Sequence, residues 1–205
     1  MARLEFFYDC GSPWTYLAFH RVLPLAEEAG AELIFRPILV GGVFNEVNAS
    51  VYQQRSNPVP AKARYYRKDL ADWARHCGLA IGNPSIFPIN SVKAMRGALV
   101  AETEGLLVPW SRRVFEAYWG EDRDIASDAV LAELARDVGL EPSALLENIG
   151  EPAVKDRLRA NTSELIERGG FGSPTMFVGG DDVYFGNDRL ELVRAALGRG
   201  RASRV

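Results

Sequence analysis

Three stretches of the chain combine polar groups and chain reversals in a way that could hold an anion beside an extended ligand. The first is Asp9-Cys10-Gly11-Ser12-Pro13-Trp14-Thr15, which follows an aromatic-rich run and opens a helix. A helix start gathers unpaired backbone N–H groups and the positive end of the helix dipole, so it stabilises negative charge. Ser12 and Thr15 stand at the two positions of a four-residue spacing where a redox motif would carry thiols, so this motif has no dithiol to cycle. Its hydroxyl can still donate a hydrogen bond to an incoming thiolate; the plainer role for Ser12 is to cap the helix. The second stretch is Gly170-Phe171-Gly172-Ser173-Pro174-Thr175. An X-Pro bond that opens a strand can be cis, and the residue before it then keeps its backbone free to pair with an extended peptide. The third is Phe185-Gly186-Asn187-Asp188-Arg189. Asn187 and Asp188 either cap a last helix or hold a zwitterionic amino-acid end, with N–H groups for its carboxylate and Asp188 for its ammonium.

The elements that must position these groups follow from periodicity and punctuation. Residues 3–9 read as a strand, and Ser12-Pro13 opens a helix with Leu17, Val22 and Leu25 on its apolar surface, a kink at Pro24 and a stop at Gly30. Residues 32–40 read as a second strand ended by Gly41-Gly42, and the two strands as a right-handed parallel crossover. Residues 45–60 are polar and contain proline, the pattern of a long loop. Helical patterns broken by glycine and proline cover residues 62–76, 91–104, 109–119, 127–138, 143–149 and 152–168. A hairpin follows, residues 174–178 and 183–185 around Gly179-Gly180-Asp181-Asp182, and then a last helix through Leu197. The order βαβ, helices, ββα is that of an α/β, thioredoxin-like fold split by an all-helical insertion domain. The expected division is residues 1–45 with 170–198 as the thioredoxin-like domain, 46–169 as the insertion and 199–205 as a flexible tail.

Composition narrows the class of function. The 205 residues are 47% hydrophobic and 25% charged, enough to bury a core, and 24 basic against 27 acidic side chains leave a net charge of -3. No basic field is available for phosphate backbones, so nucleic acid is not expected as a partner. No apolar run reaches the roughly 20 residues of a membrane span, and the first residues lack a signal-peptide layout. Two cysteines, Cys10 and Cys77, cannot build a disulfide framework, and His20 and His76 have no metal-site spacing. A cytoplasmic enzyme or binding protein without a metal is expected.

From Leu4 to about Leu197 the chain resembles the 2-hydroxychromene-2-carboxylate isomerases, a group similar to the kappa-class glutathione transferases within the disulfide-oxidoreductase-like thioredoxin superfamily. The resemblance rests on seven stretches in order. They are Phe7-Tyr8-Asp9 with Ser12-Pro13 and Tyr16-Leu17; Phe35-Arg36-Pro37 with Gly41-Gly42; Asn57-Pro58 and Pro60-Ala61-Lys62; Asn90 with Ala94-Met95-Arg96; Trp119 before Asp124-Ile125; residues 171–175; and residues 185–189. It implies glutathione as cofactor, with Ser12 as the catalytic residue bonded to the glutathione sulfur. Ser173, before a cis Pro174, would pair with the cysteinyl unit, and Asn187 and Asp188 would hold the γ-glutamyl end. Asn57 and Lys62 would reach the tripeptide or the substrate, a small aromatic acid. Trp14 would wall the substrate side, which Asn90 and Arg96 would line, and Lys62 would take the substrate carboxylate. Homodimers are the family tendency. Two other readings stand beside isomerisation: a transferase that conjugates electrophiles on the same site, and a peptide-binding module without catalysis. Cys10 stands where the family often has an aromatic residue, and Asn187 where it often has Ser or Gln.

Overall fold

A computed structural model describes residues 2–202 of the chain. Strand β1 (Ala2–Tyr8), helix α1 (Pro13–Glu28) and strand β2 (Ala31–Pro37) come first, and β1 and β2 pair in parallel with Phe6 opposite Phe35. Strands β3 (Thr175–Val178) and β4 (Asp182–Phe185) close the sheet in the order β2-β1-β3-β4, with β1–β3 and β3–β4 antiparallel. The expected thioredoxin-like α/β arrangement with helices inserted between β2 and β3 is therefore present. Strand alternation sends successive side chains to opposite faces. Leu4, Phe6 and Tyr8 join the larger apolar cluster, whereas Phe7 joins Phe177, Ile38, Val43 and Leu165 on the other face. Both faces are covered, which is why large apolar and aromatic residues stand at both parities of β1, with Phe6 and Phe7 adjacent.

Eight α-helices lie between β2 and β3 among the described residues: α2 (Val40–Val47), α3 (Ser50–Ser56), α4 (Pro60–Cys77), α5 (Val92–Thr103), α6 (Leu107–Phe115), α7 (Asp128–Asp137), α8 (Pro142–Asn148) and α9 (Pro152–Glu167). Glycine ends several of them as expected, with Gly78, Gly105 and Gly139 in the left-handed region. Their apolar faces continue the core of the sheet. Phe115 stacks on Tyr16 at 5.0 Å, and Trp110 and Met95 lie in the same cluster as Phe6. Gly97 of α5 has no room for a side chain, since a Cβ there would sit 2.5 Å from the Trp110 ring.

The structure corrects the sequence reading in four places. Strand β2 stops at Pro37, three residues early, because the Pro37 carbonyl accepts a hydrogen bond from Asn161 of α9. Gly41-Gly42 do not end a strand; they lie inside α2, whose first N–H, from Val40, donates to the Asp9 carboxylate. Residues 45–60 are not one long loop, since they hold the end of α2 and all of α3. Phe44 and Tyr52 meet edge to face at 6.3 Å and the Tyr52 hydroxyl donates to Asn45, folding α2 and α3 together. The last helix, α10 (Leu190–Ala202), extends five residues beyond Leu197. Residues 203–205 of the expected tail lie outside the described residues. Among the described residues no helix is long and apolar enough to cross a membrane.

The middle of β1 is tied by charge. Glu5 is buried and pairs with Arg168 at 3.1 Å, Arg3 at 3.3 Å and Arg36 at 3.4 Å, while the Arg168 guanidinium lies 3.8 Å over the Phe177 ring. Burial pushes the Glu5 carboxyl up, but the Arg168 hydrogen bond and the three guanidinium charges outweigh it and hold the carboxyl below its usual range. A lowered carboxyl in the folded state stabilises above the unfolded value and loses that contribution as pH falls through the folded one. Glu5→Gln is therefore expected to cost about 1–3 kcal/mol at pH 7. In thermal melts its difference from the natural protein should shrink as the pH is taken below the ordinary glutamate range.

Candidate active site

The first turn of α1 and the chain before β3 meet at a cluster of hydroxyls. Ser12 caps α1 through its side chain, accepting the Thr15 N–H at 3.3 Å, with Pro13 in the first turn. The same hydroxyl donates to the Ser173 carbonyl at 3.3 Å, across a cis Ser173–Pro174 bond. The Ser173 hydroxyl accepts the Asp9 N–H at 3.0 Å and shares a proton with the Thr15 hydroxyl at 2.8 Å. Ser12, Thr15, Ser173 and Pro174 are thus one connected group, half-buried at Ser12 and buried at the other three. No sulfur belongs to it. Cys10 points away into the core, its N–H on the Met95 sulfur at 3.3 Å and its carbonyl on the Trp119 indole N–H at 2.8 Å. Burial pushes the Cys10 thiol well above its ordinary range, so it is an inert packing group, and Cys77 is likewise a free thiol.

Behind the cluster stands a buried carboxylate that the sequence reading did not single out. Asp9 accepts Gly11 N–H at 2.8 Å, Val40 N–H at 2.8 Å and the Ser91 hydroxyl at 3.0 Å. Those donors come from the turn before Ser12, the start of α2 and the start of α5. Burial raises the Asp9 carboxyl and the three donors pull it down, with burial the larger influence. Gly11 is pressed between Asp9 and the segment that precedes α5: a Cβ on it would lie 3.3 Å from the Asp9 carboxylate and 3.6 Å from Ile89. That segment is held by a π-helical turn, Glu116–Gly120, whose Trp119 carbonyl accepts Gly82 N–H at 2.7 Å and whose Tyr118 hydroxyl donates to Ile86 at 2.9 Å.

The third stretch lies beside the second. Gly186 N–H donates to the Pro174 carbonyl at 3.1 Å, and Gly186 has φ of 104°, a conformation that favours glycine. Asn187 opens a short 3-10 turn (Asn187–Arg189), its carbonyl held by Arg21 of α1 at 2.9 Å. The Asn187 side chain is buried, and its amide nitrogen has no partner. Asp188 is exposed, folds back toward Gly186 and pairs with Arg189 at 2.5 Å.

The remaining expected residues divide into two groups. Trp14 meets Tyr66 of α4 at 6.4 Å, and Arg21 lies over Trp73 at 4.8 Å. The two pairs are seven residues apart on each helix, so α1 and α4 run side by side in one direction. Lys62, one turn before Tyr66, therefore stands beyond the start of α1, on the Ser12 side; it is exposed and has no partner. Asn57 ends α3, exposed, near that same end of α4. Asn90 and Arg96 are not brought to the cluster by any contact. The Asn90 side-chain Oδ1 accepts Val92 N–H at 3.2 Å, a local cap of α5, and the half-buried Arg96 has its Nε without a partner. Sequence reasoning gave Asp9 no role of its own within the first stretch and passed over Ser91 and the exposed Phe87. Only Asp9, a carboxylate at the end of an apolar strand, carried a signal that could have been read.

With this geometry in view, the chain belongs to the DsbA-like thioredoxin domain family, whose model matches residues 3–198. A 2-hydroxychromene-2-carboxylate isomerase of Pseudomonas putida is 30% identical over 96% of this chain and 94% of its own length. The human glutathione S-transferase kappa 1 is 28% identical over 95% of this chain and 90% of its own. A solved 2-hydroxychromene-2-carboxylate isomerase superposes with a TM-score of 0.82 at 28% identity, covering 98% of this chain and 97% of that one.

Asp9→Asn tests the carboxylate that anchors the site. The asparagine amide nitrogen would face an N–H or hydroxyl donor in place of an acceptor, leaving a buried donor unpaired. A loss of about 1–3 kcal/mol is expected in urea unfolding at pH 7, whereas an unchanged midpoint would show that the three bonds carry little.

Proposed function

We propose that this protein is a glutathione-dependent isomerase that interconverts 2-hydroxychromene-2-carboxylate and trans-o-hydroxybenzylidenepyruvate, or a related intermediate of aromatic degradation. The observation that carries this reading is the hydroxyl cluster of Ser12, Thr15 and Ser173 at a helix start, in the place of a dithiol. A site built to stabilise sulfur anions but lacking its own sulfur fits a thiol brought from outside. The isomerase and kappa-class relatives support the same direction.

The residues fit glutathione on structural grounds. The buried, unpartnered Asn187 amide has a donor to give. Gly186 leaves room at the backbone beside Asp188, whose carboxylate suits an ammonium. Bound there, glutathione would supply a thiolate whose addition to the conjugated carbon turns the ring C=C bond into a single bond; once the ring has opened and that C–C bond has rotated, its elimination restores the double bond as trans and returns the thiolate unconsumed. Ser12 would turn its hydroxyl from the Ser173 carbonyl to the sulfur, and the first N–H groups of α1 would add the helix dipole. The freed Ser173 carbonyl would accept the cysteinyl N–H as a strand partner does. A thiol with an ordinary pKa of about 8.5 that is lowered by about 2 units needs roughly 2.7 kcal/mol of such stabilisation. Lys62, projecting past the start of α1, would attract the substrate's negative charge, and Trp14 with Tyr66 would wall its ring.

Conjugation of an electrophile to glutathione is the second reading, favoured by the kappa-class relative; it would release a thioether where the isomerase releases free thiol.

Thermal unfolding with reduced glutathione tests the cofactor. At 100 times the dissociation constant the gain should be about 2.7 kcal/mol, and Asp188→Ala should abolish it. Absence of any gain sinks both glutathione readings and leaves the peptide-binding module. Ser12→Ala should lower turnover of the chromene acid on the order of 10²-fold, with the pH at which the bound thiol ionises moved upward.

A further inference from the structure

Between β2 and α4 stands a guanidinium that neither the sequence reading nor the fold accounts for. Arg55, in the last turn of α3, lies 5.4 Å from the Phe44 ring of α2 and 5.3 Å from the Phe87 ring in the segment before α5. It is exposed and pairs with no carboxylate. Its two aromatic contacts belong to different walls of the site. Phe44 sits on the helix whose first N–H is held by Asp9, and Asn48 at the end of that helix donates to the Phe171 carbonyl at 3.1 Å, two residues before Ser173. Phe87 meets Trp119 at 6.2 Å, and Trp119 donates to the Cys10 carbonyl, two residues before Ser12. Arg55 thus spans the two segments that flank the hydroxyl cluster.

A guanidinium held by ring faces keeps its N–H edge open, and that edge matches a carboxylate with two parallel hydrogen bonds. A free surface arginine would have to be ordered before it could bind; this one is already ordered by Phe44 and Phe87. We propose that Arg55 is a specificity-determining residue that takes the carboxylate of an aryl acid whose ring lies against Phe87. The assignment rests on the aromatic-acid reading of the site and names a different group from Lys62 as the carboxylate partner. Lys62 is a flexible ammonium with no neighbour to fix it, so it attracts charge without setting the orientation of the acid.

The test uses the full chain and titration calorimetry with trans-cinnamate and its uncharged analogue trans-cinnamamide. The natural protein should bind the acid about tenfold more tightly than the amide, the preference expected of a charge-assisted pair. Arg55→Ala should erase that preference, and Arg55→Lys should restore only part of it, because an ammonium lacks the fork. Lys62→Ala should leave most of it. Failure of the natural protein to bind the acid, equal binding of acid and amide, or a preference that survives Arg55→Ala but is lost in Lys62→Ala would each overturn the assignment. Thermal melts of each variant separate lost recognition from lost folding: a variant that has unfolded is replaced by Phe87→Leu, which removes one ring face and should reduce the preference severalfold. Turnover of the chromene acid is measured alongside. An acid preference carried by Arg55 without turnover keeps this assignment and sinks the isomerase reading; turnover with a preference indifferent to Arg55 does the reverse.

Discussion

A single buried carboxylate organises this site. Asp9 ends the central strand and has no cation beside it; its charge is met by one hydroxyl and two backbone N–H groups. Each donor comes from a different part of the chain, so one side chain fixes where α1 begins, where α2 begins and where α5 begins. An unpaired charge at that depth costs several kcal/mol, so the three donors cannot drift apart without a large penalty. The geometry at Ser12 inherits this rigidity, because Gly11 lies between the carboxylate and Ile89 with little room on either side.

Around that anchor, mid-strand Glu5 and the Asp9 that follows β1 have opposite surroundings. Glu5 is surrounded by arginines and the pairing is ionic. Asp9 is buried and neutral donors surround it. The ionic cluster secures the sheet, and the dipolar one holds the start of α1 without a fixed positive side chain that would compete for an anion at Ser12. Positive charge stands further out, on the exposed Arg55 and Lys62, where on the function proposed above a substrate acid would meet it.

What the sequence revealed was local chemistry. Ser12-Pro13 marked the start of α1 because capping and the fixed φ of proline need only neighbouring residues. Gly78, Gly105 and Gly139 marked helix ends for the same kind of reason. The hairpin was legible from Gly179-Gly180, and Ser173-Pro174 and Asn187 were found where the fold brings them together. Long-range bonds hid the rest. Gly41-Gly42 looked like a strand end, since nothing nearby announced that Asp9 would cap α2 from 31 residues away. Helix α3 buries no side chain, so its sequence lacks the apolar period that would reveal it. Asn90 and Arg96 entered through the resemblance alone; Asn90 Oδ1 caps the start of α5, and no hydrogen bond ties Arg96 to the hydroxyls. Arg55 acquired its neighbours only through folding, because Phe87 is far along the chain.

The hydrogen bond from Ser12 to the Ser173 carbonyl pairs two groups that a ligand at this site would also need. A simple thiol that approached would take the hydroxyl and strand the carbonyl, so it would exchange one bond for another and gain little. A ligand that presents a sulfur together with an adjacent amide N–H replaces both halves of the broken pair. On the glutathione reading proposed above, this bond would act as a filter on ligand architecture: a cysteine embedded in a peptide would replace both of its partners, and a small thiol of equal acidity would replace only one.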